Sequence, residues 1–153
     1  MDVKKSIEEK KVTITNQGMV TIPAAFRKSY GLKDGDKVLI IEDHPSTSEM
    51  LSNILEMEGI ICISAPDGQT GIELANSRKP DLILLDIMMP EMSGFDVCTK
   101  LKTDPKTSHI PIIIVSVRST EEAIQKGKAS GADEYITKPF DPFKLIEAVK
   151  KYF

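Results

Sequence analysis

The 153-residue chain contains no tryptophan, only two cysteines and only 5% aromatic residues. Cys62 and Cys98 lie apart among apolar neighbours, without the close spacing of a zinc-ligand pair. They read as two buried, reduced thiols of a cytoplasmic protein. No apolar run approaches the roughly 20 residues that a membrane span requires. The opening "MDVKKSIEEKK" is charged and has no apolar core, so it is not expected to serve as a signal peptide. A large charge imbalance is missing too, the net charge being −3. It is unevenly spread, with +3 over residues 1–38 and −6 over the remainder. A modestly basic arm on an acidic body can touch phosphates, although so small an excess is also usual on solvated surfaces. The length leaves room for one medium domain, or a domain with a small appendage.

What is present is a regular alternation that begins at Lys37. Apolar runs "KVLIIE", "IICISA", "DLILLD", "IPIIIVSV" and "DEYIT" alternate with amphipathic stretches. The latter are "TSEMLSNILEMEG", "GQTGIELANSR", "GFDVCTKLKTD", "STEEAIQKGKASG" and "DPFKLIEAVKKYF". The third and fourth runs are almost continuously apolar, as strands buried on both faces of a parallel sheet must be. Five strand–helix pairs with short loops predict a doubly wound α/β domain over 37–153. Such a domain binds ligands at the carboxyl ends of its strands.

Residues 1–36 carry a different pattern. "KVTIT" and "MVTI" alternate around "NQG", with Gly18 free to adopt positive φ, which predicts a β-hairpin. Pro23 marks a helix start, "AAFRKSY" supplies one or two turns, and Gly31 ends it. No Ser/Gly-rich linker separates this module from "GDKVLI".

The chemistry gathers at the predicted strand ends. Glu42 and Asp43 follow the first strand, Asp86 closes the third, Ser116 ends the fourth and Lys138 follows the fifth. Singly, an acidic residue at a strand end ordinarily starts a turn or caps a helix. In a parallel sheet, however, these positions converge on one edge, and three carboxylates there repel one another unless a hard cation sits among them. Oxygen donors with retained waters suit Mg²⁺. A lysine ammonium and a serine hydroxyl alongside can bind the oxygens of a transferred phosphoryl group. Asp86, on the central strand before "IMMPEMSG", is then the natural nucleophile.

"VLIIEDH", "DLILLDIMMPEMSG", "IPIIIVS" and "GADEYITKPF" together resemble, in order and spacing, the motifs of response-regulator receiver domains. The resemblance covers about residues 37–153. It implies a flavodoxin-like five-stranded fold and phosphorylation of Asp86 by a histidine kinase. It further implies Mg²⁺ held by Asp43, Asp86 and the Met88 carbonyl, with Glu42 acting through water. Ser116 and Lys138 would hold the phosphoryl oxygens, Tyr135 would be the switching aromatic, and the Lys138–Pro139 bond would be cis. Two positions depart from the pattern. Val117 stands where receivers generally carry Ala or Gly, and Met88 is apolar. Both would shield the acyl phosphate, so a slowly hydrolysing phosphoaspartate is expected; ordinary packing is the plainer reading of each.

"KVTITNQGMVTIPAAFRKSYGLKDGDKV" resembles the swapped-hairpin domain of AbrB-like regulators and related antitoxins, over residues 11–38. That resemblance implies a homodimer that binds DNA, with Arg27 and Lys28 on the DNA face. Val12, Thr13 and Met19 replace expected basic residues, which should weaken binding because phosphate contacts dominate DNA affinity. Both resemblances claim "KVLI". Its doubly apolar character and the absence of a returning strand assign it to the receiver. The appendage is thus left with one hairpin and a helix, marginal alone and expected to pair with a second copy. Two rival functions remain open: a stand-alone receiver whose hairpin only dimerises, and a metal-dependent phosphatase. The second lacks a second catalytic acid beside Asp86.

Overall fold

The computed structural model describes residues 37–153 together with Thr13–Ile14 and Val20–Thr21. β1 (Thr13–Ile14) and β2 (Val20–Thr21) pair antiparallel, with Thr13 opposite Thr21 and Ile14 opposite Val20. This agrees with the hairpin expected there. The helix expected after Pro23, with Arg27 and Lys28, lies outside the described residues.

The main body alternates β3 (Lys37–Ile41), α1 (Pro45–Glu56), β4 (Ile61–Ala65), α2 (Gly68–Arg78) and β5 (Leu82–Leu85). It continues through α3 (Gly94–Thr103), β6 (Ile112–Ser116), α4 (Glu121–Ala129), β7 (Glu134–Thr137) and α5 (Pro142–Lys150). All five strands are parallel, in the order β4-β3-β5-β6-β7. The contested strand β3 therefore lies inside this sheet, between β4 and β5.

Strand parity explains how the core divides. Successive side chains point to opposite faces. Val38, Ile40, Leu82, Leu84, Ile113 and Val115 accordingly enter one core with Leu51 and Leu55 of α1 and Leu145 and Val149 of α5. Leu39, Ile41, Ile83, Leu85 and Ile112 enter the other with Ala75 of α2 and Val97, Cys98 and Leu101 of α3. Apolar residues throughout Val38–Ile41, Leu82–Leu85 and Ile112–Val115 are what burial on two faces demands, and Val38 through Ile41 have no exposed surface. The edge strands β4 and β7 are only partly buried.

The helix starts are local chemistry. Asp67, Ser93, Thr120 and Asp141 each accept a backbone N–H of the first turn of α2, α3, α4 and α5, respectively. α1 differs: it begins at Pro45, and the N-cap His44 makes no side-chain cap. At the amino ends of the strands, Lys102 of α3 donates to the Ile110 carbonyl at 2.9 Å and to Asp133 Oδ2 at 3.0 Å. The same Asp133 oxygen accepts the Ile112 N–H at 2.9 Å. One lysine thus ties α3 to the approaches of both β6 and β7.

Cys98 is buried, as expected, whereas Cys62 is half-buried because β4 is an edge strand. Burial, assisted by the Glu56 carboxylate, still pushes the Cys62 thiol up to about 12. Its contribution to stability is complete below the unfolded value of about 8.5 and is lost as pH rises through the folded value. At pH 8 the native protein should react with iodoacetamide slower than the urea-unfolded chain by roughly a hundredfold or more. Mass spectrometry of quenched samples checks this.

Candidate functional site

The parallel register brings the acidic residues together. Ile41 pairs with both Ala65 and Leu85, so the residues following β3 and β5 emerge side by side at one edge. The ladder runs on for one peptide: Glu42 N–H donates to Ala65 O at 3.1 Å and Asp86 N–H to Ile41 O at 3.0 Å. At β6 and β7, Lys138 N–H donates to Ser116 O at 2.8 Å. Donor atoms of Glu42, Asp43, His44 and Asp86 all lie within 4.8 Å of one another.

Glu42 and Asp86 are almost fully buried, at 3% and 5% exposure, which makes their mutual repulsion costly. Several groups offset it. Lys138 Nζ lies 3.2 Å from Glu42 Oε2, with 15% of its side chain exposed. Met88 N–H donates to Asp86 Oδ1 at 3.2 Å. The His44 ring places Nδ1 3.1 Å from Glu42 Oε1 and 3.1 Å from Asp43 Oδ1. The Nδ1 hydrogen bond goes to Glu42, and the buried Asp43 Oδ1 accepts none. Burial, with Glu42 adding to it, raises the Asp86 carboxyl above its usual range against the opposing Met88 N–H and Lys138. The hydrogen bond to Glu42 and the Asp43 charge raise the His44 imidazole.

A buried carboxylate oxygen without a donor, beside two further carboxylates, fits a hard divalent cation. The carboxylate oxygens are donors of the kind a hard cation takes, with the His44 ring beside them. Asp43 and Asp86 are placed to hold such an ion, with Glu42 behind them, braced by Lys138.

Ser116 is fully buried, and its Oγ accepts the Arg118 N–H at 3.2 Å. Tyr135 donates its hydroxyl to the Arg118 carbonyl at 2.6 Å. Both residues singled out in the sequence for switching are thus bound to the backbone of a third, Arg118, which the sequence did not single out. The Lys138–Pro139 bond is cis, as expected. Met88 and Val117 are both about half exposed, at 49% and 58%. Sequence reasoning also passed over His44, whose only signal was its place directly after the acidic pair. Gly94 was missed as well. It donates to Ile87 O at 3.1 Å, and a Cβ there would overlap the Asp86 carbonyl and the Ile87 backbone.

The chain matches the family model "response regulator receiver domain" over residues 38–150. It also matches "antidote-toxin recognition MazE, bacterial antitoxin" over residues 11–46. The two matches overlap on β3 and the acidic loop after it. The chain is 40% identical to RpaA of Synechocystis, a DNA-binding dual master transcriptional regulator, covering 74% of this chain and 47% of RpaA. It is 41% identical to the phosphate regulon transcriptional regulatory protein PhoB of Pseudomonas aeruginosa, covering 76% and 51%. The chain therefore spans about half the length of these two relatives. Protein PilH of Pseudomonas aeruginosa, 38% identical, is matched over 93% of its length and 74% of this chain. Among solved structures, the chemotaxis protein CheY4 of Vibrio cholerae superimposes with a TM-score of 0.72 at 30% identity, covering 76% of this chain and 98% of CheY4.

Gly94→Ala should destabilise the protein by about 1–3 kcal/mol, because backbone rather than a flexible side chain must yield. Urea unfolding of the two proteins measures the difference. An unchanged midpoint would mean the loop after Asp86 gives way freely.

Proposed function

The chain belongs to the response-regulator receiver family, and from that premise we propose that Asp86 accepts a phosphoryl group from a histidine kinase in the presence of Mg²⁺. One observation carries the reading: buried Asp86 shares an edge with Asp43, whose Oδ1 lacks a donor, and with a lysine held on Glu42. An Asp86 carboxylate oxygen attacks phosphorus as the bond to the donor imidazole nitrogen breaks, and that nitrogen keeps the electron pair. Asp43, Asp86 and the Met88 carbonyl would hold Mg²⁺, with Glu42 acting through water, and a bound ion would neutralise charge on the phosphoryl oxygens. Lys138 and the Ser116 hydroxyl donate to the transferred group. The protein is a phosphoacceptor that assists its own modification, not a turnover enzyme.

Phosphorylation takes one negative charge to about two and adds strong acceptor oxygens. Ser116 leaves the Arg118 N–H to bond them, and Tyr135 turns into the vacated space. The surface formed by α4, β7 and α5 then changes for a partner, a local charge event biasing two populations. Treatment of the full chain with acetyl phosphate and Mg²⁺ should add one phosphoryl group, by intact mass, and Asp86→Asn should add none. With Met88 two residues after Asp86 and Val117 directly after Ser116, the adduct should survive for minutes or longer after donor removal. Decay within seconds would contradict that shielding, and labelling of Asp86→Asn would remove Asp86 from its role.

The β1–β2 pair and the antitoxin-family match support a further part for the N-terminal arm: a cytoplasmic homodimer built through the hairpin, with Arg27 and Lys28 facing DNA. Light scattering with and without beryllofluoride should give a dimer. DNA affinity should fall steeply with salt, as counterion release requires. A monomer in both states removes the dimer. A dimer without salt-dependent DNA binding leaves the arm as an association device alone.

A further inference from the structure

We propose that His44 is a direct ligand of the cation at the Asp43–Asp86 site and shifts its preference from Mg²⁺ toward a nitrogen-accepting divalent transition ion such as Mn²⁺. This rests on the receiver reading above. His44 follows the acidic pair and occupies the N-cap of α1, where a short polar side chain ordinarily bonds the first turn. Its side chain does not do so. The ring turns back instead, with Nδ1 3.1 Å from both Glu42 Oε1 and Asp43 Oδ1. Donors at adjacent corners of an octahedron with bonds of about 2.1–2.2 Å are separated by about 3.0 Å. The His44–Asp43 spacing therefore suits two ligands of one ion without moving either residue far. Donor atoms of Asp43, His44 and Asp86 also lie within 4.8 Å of one another, close to the span of about 4.3 Å between opposite corners.

Coordination needs the lone pair of Nδ1, so the ring gives up its Nδ1 hydrogen bond to Glu42 and carries its proton on Nε2; two-thirds of the side chain is exposed, and water can take that proton's hydrogen bond. The orphaned Asp43 Oδ1 then faces the metal rather than a histidine that offers it nothing. Asp43, Asp86, the Met88 carbonyl and His44 fill about four of roughly six positions, leaving room for water and a phosphoryl oxygen. An imidazole in an otherwise all-oxygen set adds affinity for first-row transition ions but little for Mg²⁺.

The full chain, and its His44→Ala and Asp43→Asn variants, would be titrated with Mg²⁺ and with Mn²⁺ by calorimetry. Pulsed electron paramagnetic resonance of the Mn²⁺-loaded protein reads nitrogen coupled to the ion. The expected result is a nitrogen signal in the parent, its loss in His44→Ala, and a fall of about tenfold in the Mn²⁺-to-Mg²⁺ affinity ratio. No nitrogen signal in the parent, with both ions bound and lost in Asp43→Asn, would overturn the role of His44 and leave the receiver site standing. A nitrogen signal that persists in His44→Ala would overturn it equally. Binding of neither ion to the parent would bring down the metal site itself, and this inference with it. The signal in the parent decides even if a variant fails to fold.

Discussion

The burial of Val38 to Ile41 on both faces of the sheet is the constraint from which the remaining geometry follows. A strand without exposed surface has to lie between two others, and β3 lies between β4 and β5. Its parity sends alternate residues to the α1–α5 and α2–α3 cores, so its register with β5 is fixed by packing on two sides. A slip of one residue would exchange the two cores and carry Glu42 and Asp43 away from Asp86. The acidic site is therefore positioned by hydrocarbon rather than by attraction among its own members, which repel one another.

That repulsion is why the site is made as it is. Each carboxylate there is met by something different: Lys138 for Glu42, the Met88 N–H for Asp86, and a donor-free buried oxygen left on Asp43. Completing every hydrogen bond would have given a quieter loop with nothing for a cation to do. The incomplete set leaves one oxygen whose best partner is a positive ion.

The body of the fold was legible in the sequence because its signals are strong and local. The runs around Ile83 and Ile113 could be nothing but doubly buried strands, and the strand ends followed by counting. Ownership of "KVLI" was legible too, since no returning strand follows it. Other features depended on contacts that sequence spacing does not encode. The direction of the His44 ring is a rotamer choice, and the shared Arg118 peptide joins β6 to β7 through side chains 17 and 2 residues away from it. Cys62 looked as buried as Cys98 because its neighbours are equally apolar; only the strand order shows that it sits on an edge. Gly94 reads as a turn glycine, and the close approach of the Asp86 carbonyl emerges only when α3 is docked.

The Lys102 clasp has a mechanical consequence. It binds the carbonyl before β6 and the carboxylate before β7, and that carboxylate in turn holds the first amide of β6. These bonds lie at the opposite end of the strands from Asp86, so the two ends of β6 and β7 differ in what holds them. The amino end is pinned to α3 by a largely buried ammonium. At the carboxyl end the bonds are between neutral groups: the Lys138 N–H on the Ser116 carbonyl, the Arg118 N–H on Ser116 Oγ and the Tyr135 hydroxyl on the Arg118 carbonyl. Loosening the bonds of Ser116 and Tyr135 to Arg118 beside the acidic site would therefore leave the tie between α3 and the amino ends of β6 and β7 intact.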